Sequence, residues 1–119
     1  MPASEDSNLV RFGDRLVALP WPAMEVVAAA DRTFVLLDPD AYLLGPEYKR
    51  RRRSDSPALR NLWAFDDRGN KLWEAELPEP GDYYYKLVSA NPVVALAFSS
   101  WRCSLSPTTG QILQREFLK

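Results

Sequence analysis

Apolar and polar residues alternate with a period of two through residues 61–77, and this pattern predicts a β-hairpin. Trp63 and Phe65 fall on one face of its first arm, and Trp73 lies on the return arm. Residues 66–70 between the arms are turn formers, because Asp bonds the backbone that follows it and glycine tolerates positive φ. The opposite faces carry Leu62 and Ala64 on the first arm, and Leu72, Glu74 and Glu76 on the second.

Short apolar runs between prolines, glycines and acidic residues predict further strands along the chain. The run 83–88 is expected to place Tyr83, Tyr85 and Leu87 on one face, and the run 93–98 is apolar enough for a central strand covered on both faces. The sequence therefore predicts an all-β, antiparallel meander of about 8–10 short strands, whose blade-like sheets form a sandwich, a small barrel or a partial propeller. The other predicted strands are 9–12, 15–19, 24–29, 33–37, 101–105 and 111–117.

The length of 119 residues fits a single β domain spanning residues 1–119. Residues 1–8 are polar and predict a frayed start. Residues 41–59 have no clean hydrophobic period and contain two prolines, a glycine and a run of basic residues. Loops of this length in compact domains are usually functional or disordered, so this segment predicts a long basic surface insertion.

One basic run stands out from an otherwise acidic chain. The formal net charge is −1, the run contributes +5, and all other residues together therefore carry −6. The run can be a solvated loop that offsets the acidic body, or it can bind an anion, a nucleic acid or an acidic partner surface. The net acidity argues against a dedicated nucleic-acid binder but leaves that alternative open. The five residues are Lys49, Arg50, Arg51, Arg52 and Arg53.

The residue types present argue against an enzyme. The chain has no histidine and a single cysteine, which removes Ser-His-Asp and Cys-His catalysis and the common zinc sites. Cys103 can be a small buried hydrophobe or a thiol activated by Arg102. Asp66 and Asp67 can shape a turn or supply a carboxylate pair, and Asp38 and Asp40 offer the same two alternatives. We therefore expect no catalytic residue, no cofactor and no metal site.

The apolar runs also bear on localisation. No run approaches the roughly 18 apolar residues of a spanning helix. The acidic, polar start is the reverse of a secretory signal, and one cysteine cannot form an internal disulfide. These features predict a cytoplasmic protein without membrane contact.

Aromatic residues are plentiful for so small a chain. Core packing explains most of them, but some can form a surface patch for a partner or a sugar. The residues singled out for such a patch are Trp21, Tyr83 and Tyr85.

Two internal alignments indicate a degenerate repeat. Residues 65–69 match residues 105–110, 40 positions later, and residues 19–22 match residues 77–80, 58 positions later. The stretches LWAFDDRGNKLW and CSLSPTTGQIL resemble the pyrroloquinoline-quinone-type β-propeller repeat, with Gln114 standing where the family has the tryptophan matched by Trp73. The resemblance implies blade-like antiparallel sheets and no quinone cofactor.

The chain is too short to close a propeller, because even four blades need about 160 residues. Unpaired strand edges would then remain, which predicts a homodimer through sheet edges. We expect a non-enzymatic protein-interaction or accessory protein with an unknown protein partner. The alternatives are nucleic-acid or anion binding through residues 49–53, and carbohydrate or small-ligand binding through the exposed aromatic residues.

Overall fold

The chain folds into ten antiparallel strands over residues 9–39 and 60–118, which are the residues described by a computed structural model. The all-β prediction is confirmed, and none of the three sheets closes into a barrel. The predicted frayed start and the whole predicted insertion, with Lys49–Arg53, lie outside these residues, as does Asp40. The strands are β1 (Leu9–Phe12), β2 (Arg15–Ala18), β3 (Ala23–Ala29), β4 (Arg32–Leu37), β5 (Leu62–Asp66), β6 (Lys71–Glu74), β7 (Tyr84–Ala90), β8 (Val93–Ala97), β9 (Trp101–Leu105) and β10 (Ile112–Phe117).

The three sheets are a hairpin and two four-stranded meanders. The hairpin pairs β1 with β2, the first sheet has the order β3-β4-β5-β6, and the second has the order β10-β9-β8-β7. Every strand pairs antiparallel with its neighbour in sequence inside each sheet. Strand β8 is central, as predicted, because β7 and β9 pair with it on either side. The propeller-repeat resemblance itself stays a prediction.

Two of the turns share the same chemistry. Asp66 Oδ1 accepts the backbone N–H groups of Arg68 and Asn70, both at 2.9 Å. Ser106 Oγ accepts the backbone N–H groups of Thr108 and Thr109, both at 3.2 Å. A short oxygen-bearing side chain therefore organises each turn, as the sequence predicts for Asp66.

The glycines that end these two turns each touch an aromatic ring in the preceding layer. A Cβ on Gly69 would lie 2.9 Å from a ring carbon of Phe12, and a Cβ on Gly110 would lie 2.5 Å from a ring carbon of Trp73. Their φ angles of +86° and +76° are also ones that side chains disfavour. The turns therefore dock the sheets onto one another.

Apolar residues form two cores, one on each face of the first sheet. The inner face packs against the second sheet around Phe34, Trp73 and Tyr84. The outer face packs against the hairpin around Phe12 and Phe65, whose ring centroids are 5.3 Å apart. The predicted opposition of Trp63 and Phe65 to Leu62 and Ala64 is confirmed, because these pairs belong to the two different cores.

Hydrogen bonds from side chains tie the two large sheets together. The buried Asn61 donates to Leu37 O (2.9 Å) and Tyr84 O (2.7 Å) and accepts the Tyr84 N–H (2.9 Å). Glu25 Oε2 accepts the Leu87 N–H at 2.9 Å between β3 and β7. At the opposite margin, Glu76 Oε1 accepts the Ile112 N–H at 2.8 Å.

The predicted face assignment of β7 is wrong. Tyr84 is buried whereas Tyr85 is 44% exposed, so Tyr83, Tyr85 and Leu87 do not share one alternating face. The cause is a pair of register shifts against β8, one between Tyr84 and Lys86 and one between Leu87 and Ser89. Strand β6 also ends at Glu74, earlier than predicted.

The outer face of the second sheet is mainly polar. Arg102 stands across from Glu116, and Ser104 across from Gln114, on the face away from the buried Cys103 and Leu105. Lys86 joins them from β7 by its pairing with Leu96. The part of the chain that the structure describes contains no helix with the length and apolarity needed to cross a membrane.

Candidate functional site

Aromatic residues gather at one end of the second sheet. The antiparallel order brings the beginnings of β7 and β9 beside the ends of β8 and β10. Phe98 is 66% exposed, Phe117 50% and Leu118 48%, so this end presents apolar surface to solvent. We define the aromatic end as Tyr83, Phe98, Trp101, Phe117 and Leu118.

A buried carboxylate builds the turn that presents Phe98. Asp82 Oδ1 accepts the N–H groups of Tyr83 (2.9 Å) and Ser99 (3.2 Å), and its other oxygen accepts the Ser99 hydroxyl. The Phe98 ring consequently stacks on Tyr83 with centroids 5.0 Å apart and an interplanar angle of 19°. The exposed ring is therefore held in place by the fold.

Polar contacts hold Trp101 at the same end of the sheet. Its Nε1 donates to Glu79 Oε2 at 3.0 Å, and the Arg115 guanidinium carbon lies 4.4 Å from its ring centroid. Arg115 also donates to Pro78 O at 2.9 Å. Phe117 meets the Trp101 ring edge-on at 5.0 Å. Other side chains of the protein therefore cover Trp101, and Phe98 and Phe117 are the rings that a partner can contact.

Strand β10 ends at the aromatic end and is an edge strand of the second sheet. Its Leu113 side chain is 69% exposed, the largest fraction among the exposed large apolar residues described. A cavity lies on each side of the strand, and Arg115 lines both. The first, of about 360 Å³, is lined by Val94, Arg102, Ser104, Gln114, Arg115 and Glu116. The second, of about 300 Å³, is lined by Glu76, Leu77, Pro78, Ile112 and Arg115.

The predicted aromatic patch is distributed over different parts of the structure. Tyr83 belongs to the aromatic end, whereas Trp21 is half-buried in the core between the hairpin and the first sheet. Tyr85 is exposed on β7. Sequence reasoning missed Phe98, Phe117 and Leu118, although exposed apolar residues beside charged ones in a final strand are a usable signal.

The structure shows how burial and hydrogen bonding affect the titratable side chains. Cys103 is buried, and burial raises the pKa of its thiol, which disfavours the reactive thiolate. Burial likewise raises the pKa of Tyr84 far above its ordinary value. Backbone hydrogen bonding from Asn70 lowers the pKa of Asp66. Over residues 9–39 and 60–118, no group of three or more His, Cys, Asp or Glu side chains is arranged to hold a metal ion.

Comparison with known proteins gives one family. A family model described as a domain of unknown function (DUF7957) matches residues 2–117. No curated protein and no solved structure matches the chain.

Proposed function

Since the chain belongs to a family described as a domain of unknown function (DUF7957), we propose a function from its surface: it is a non-enzymatic protein-interaction module. The partner binds at the aromatic end and along β10. One observation carries this proposal. Four exposed large apolar residues, Phe98, Leu113, Phe117 and Leu118, lie on β10 or at the same end of its sheet, and they include the two most exposed ones described, Leu113 at 69% and Phe98 at 66%.

The fixed geometry of the aromatic end supports binding. Phe98 is stacked on Tyr83 and Phe117 is packed on Trp101, so these rings lose little conformational entropy when a partner covers them. Aromatic residues in such positions commonly dominate binding energy. The closed surroundings of Cys103 support a role other than nucleophilic catalysis.

Site-specific crosslinking tests this function. Benzoylphenylalanine replaces Phe117 in the full chain, and in a matched control it replaces Leu72, which is 41% exposed on the edge strand of the first sheet. We expect irradiation in extract of the source cells to give a discrete adduct from position 117 and none from position 72. Adding Phe98→Ser to the position-117 protein should reduce the adduct about tenfold, as expected for an interface hot spot.

The control variant for folding is Leu72→Ser, which removes apolar surface of similar exposure elsewhere. The proposal is wrong if both crosslinker positions give the same products, or if Phe98→Ser leaves the adduct yield unchanged while Leu72→Ser reduces it.

A further inference from the structure

Within residues 9–39 and 60–118 no strand pairs with the outer edge of β10, and this edge exposes the backbone groups of two residues. The Leu118 N–H donates to Ser100 O at 2.9 Å, and Ser106 N–H donates to Gln111 O at 2.8 Å, so both ends of the ladder with β9 are fixed. Hydrogen-bonded residues alternate in an antiparallel pair, and Gln114 and Glu116 therefore face β9. Arg115 and Phe117 direct their N–H and C=O groups away from the sheet.

The beginning of the same edge is closed. Glu76 Oε1 accepts the Ile112 N–H at 2.8 Å, and the Glu76 N–H donates to Gly110 O at 2.9 Å. An added strand can consequently pair only with the later half of β10, next to the aromatic end.

Charge opposes a second copy of the chain at this edge. A two-fold symmetric antiparallel pair that uses both exposed residues must place Arg115 opposite Phe117 of the other copy, and this register sets Glu116 directly opposite itself. Moving the axis to residue 115 sets Arg115 opposite itself. Like charges placed directly across from each other are destabilising, so both registers carry a penalty.

We propose that β10 accepts an extended segment of a different protein as an added antiparallel strand, with the sequence apolar–basic–acidic. The apolar residue lies opposite Phe117, the basic residue opposite Glu116 and the acidic residue opposite Arg115. This order follows from the charges of Glu116 and Arg115 and from the exposed Phe117 ring; the Arg115 side chain is 44% exposed although it lies 3.9 Å from Glu79 Oε2. The inference rests on the proposed interaction function and specifies its partner.

A pair of peptides with the same composition tests the inference. The probe is Thr-Thr-Phe-Lys-Glu-Thr-Thr, blocked at both ends, and the control is Thr-Thr-Phe-Glu-Lys-Thr-Thr. Amide hydrogen exchange of the isotope-labelled full chain is followed by NMR with up to about 1 mM peptide. We expect the probe to slow exchange at Arg115 and Phe117 and to leave Gln114 and Glu116, which already bond to β9, unchanged.

The preference between the peptides should be about fivefold in affinity, as expected for two cross-strand charge pairs. The double variant Arg115→Glu with Glu116→Arg should invert it. Arg115→Glu also removes the hydrogen bond to Pro78 O and the contact with the Trp101 ring, so unchanged exchange of the β8 amides is required to show that the fold survives.

Three results would overturn the inference. The first is no added protection at Arg115 and Phe117, and the second is equal protection by both peptides. The third is protection that rises with protein concentration in the absence of peptide, because a second copy would then be the occupant. If the crosslink from position 117 persists while the peptides fail, only the strand-addition inference is wrong. If that crosslink also fails, the interaction function is wrong.

Discussion

At the scale of single residues, Gly110 shows how one atom limits the packing of two sheets. Its φ of +76° is in the left-handed region, and a Cβ would lie 2.5 Å from the Trp73 ring. Trp73 cannot retreat easily, because its Nε1 donates to Pro107 O at 2.9 Å and its ring packs 5.9 Å from Phe34. The sequence predicts the glycine as a turn former, but the contact with Trp73 depends on the packing of two sheets.

Gly110→Ala should therefore lower the free energy of unfolding by about 2–5 kcal/mol, as the sum of backbone strain and overpacking. Gly81→Ala is the matched control, since its φ is +72° and no atom lies within 4 Å of the added Cβ. The control should cost only the strain, about 1–2 kcal/mol. Urea unfolding of both variants measures the difference, and equal losses would show that the contact with Trp73 contributes nothing.

At the scale of elements, the local pattern predicts where strands lie, but it does not always predict which side chains face the core. The hairpin around Asp66 could be predicted because alternation and turn chemistry are both encoded within about 17 residues of sequence. Tyr83, Tyr84 and Tyr85 are three identical residues in a row and give no apolar contrast, so their bulge leaves no local signal. The faces of β7 are instead decided by which tyrosine the core can bury.

The Asp66 turn should make stability sensitive to acid. Hydrogen bonds from Asn70 lower the pKa of Asp66 below the ordinary value of 3.8. A carboxyl with a lowered folded pKa contributes stability that is present above its unfolded pKa and is lost as pH falls through the folded pKa. Asp66→Ser copies Ser106 of the second hairpin and should retain the turn. This variant should lose less stability than the wild-type protein between about pH 5 and pH 2, the range in which carboxylates titrate.

Urea unfolding at several pH values measures this effect. Asp67→Ser serves as the control for removing one negative charge from the same turn. The interpretation fails if wild-type protein and Asp66→Ser lose stability in parallel on acidification, or if Asp67→Ser alone removes the acid sensitivity.

At the scale of the whole molecule, residues distant in sequence create both the candidate site and the junction between sheets. Phe98, Trp101 and Phe117 come from three positions in the second sheet, and the meander order alone brings them together. Tyr83 could be singled out from the sequence, but its stacking on Phe98 could not, because Phe98 reads as the end of a buried run. Predicting the aromatic end therefore requires knowledge of the strand order.

Asn61 is the clearest case of a residue serving the whole assembly. It is fully buried and satisfies Leu37 O together with both backbone groups of Tyr84. Asn61→Ala should cost about 2–4 kcal/mol, because several buried polar groups would lose their partners. Asn70→Ala, at an exposed amide, is expected to cost less than about 1 kcal/mol.

Thermal or urea unfolding of the two variants compares these losses. A loss for Asn61→Ala no larger than that for Asn70→Ala would mean that water replaces the bridge between the sheets without penalty.

The polar outer face of the second sheet also disfavours a further layer. The turn glycine of each sheet packs against an aromatic ring of the preceding layer, and this contact by itself sets no limit on the number of layers. Arg102, Glu116 and Lys86 present charge instead of an apolar floor, and burying them under another sheet would strip their hydration. Stacking one more sheet on this face would thus begin with neutralising these three charged side chains.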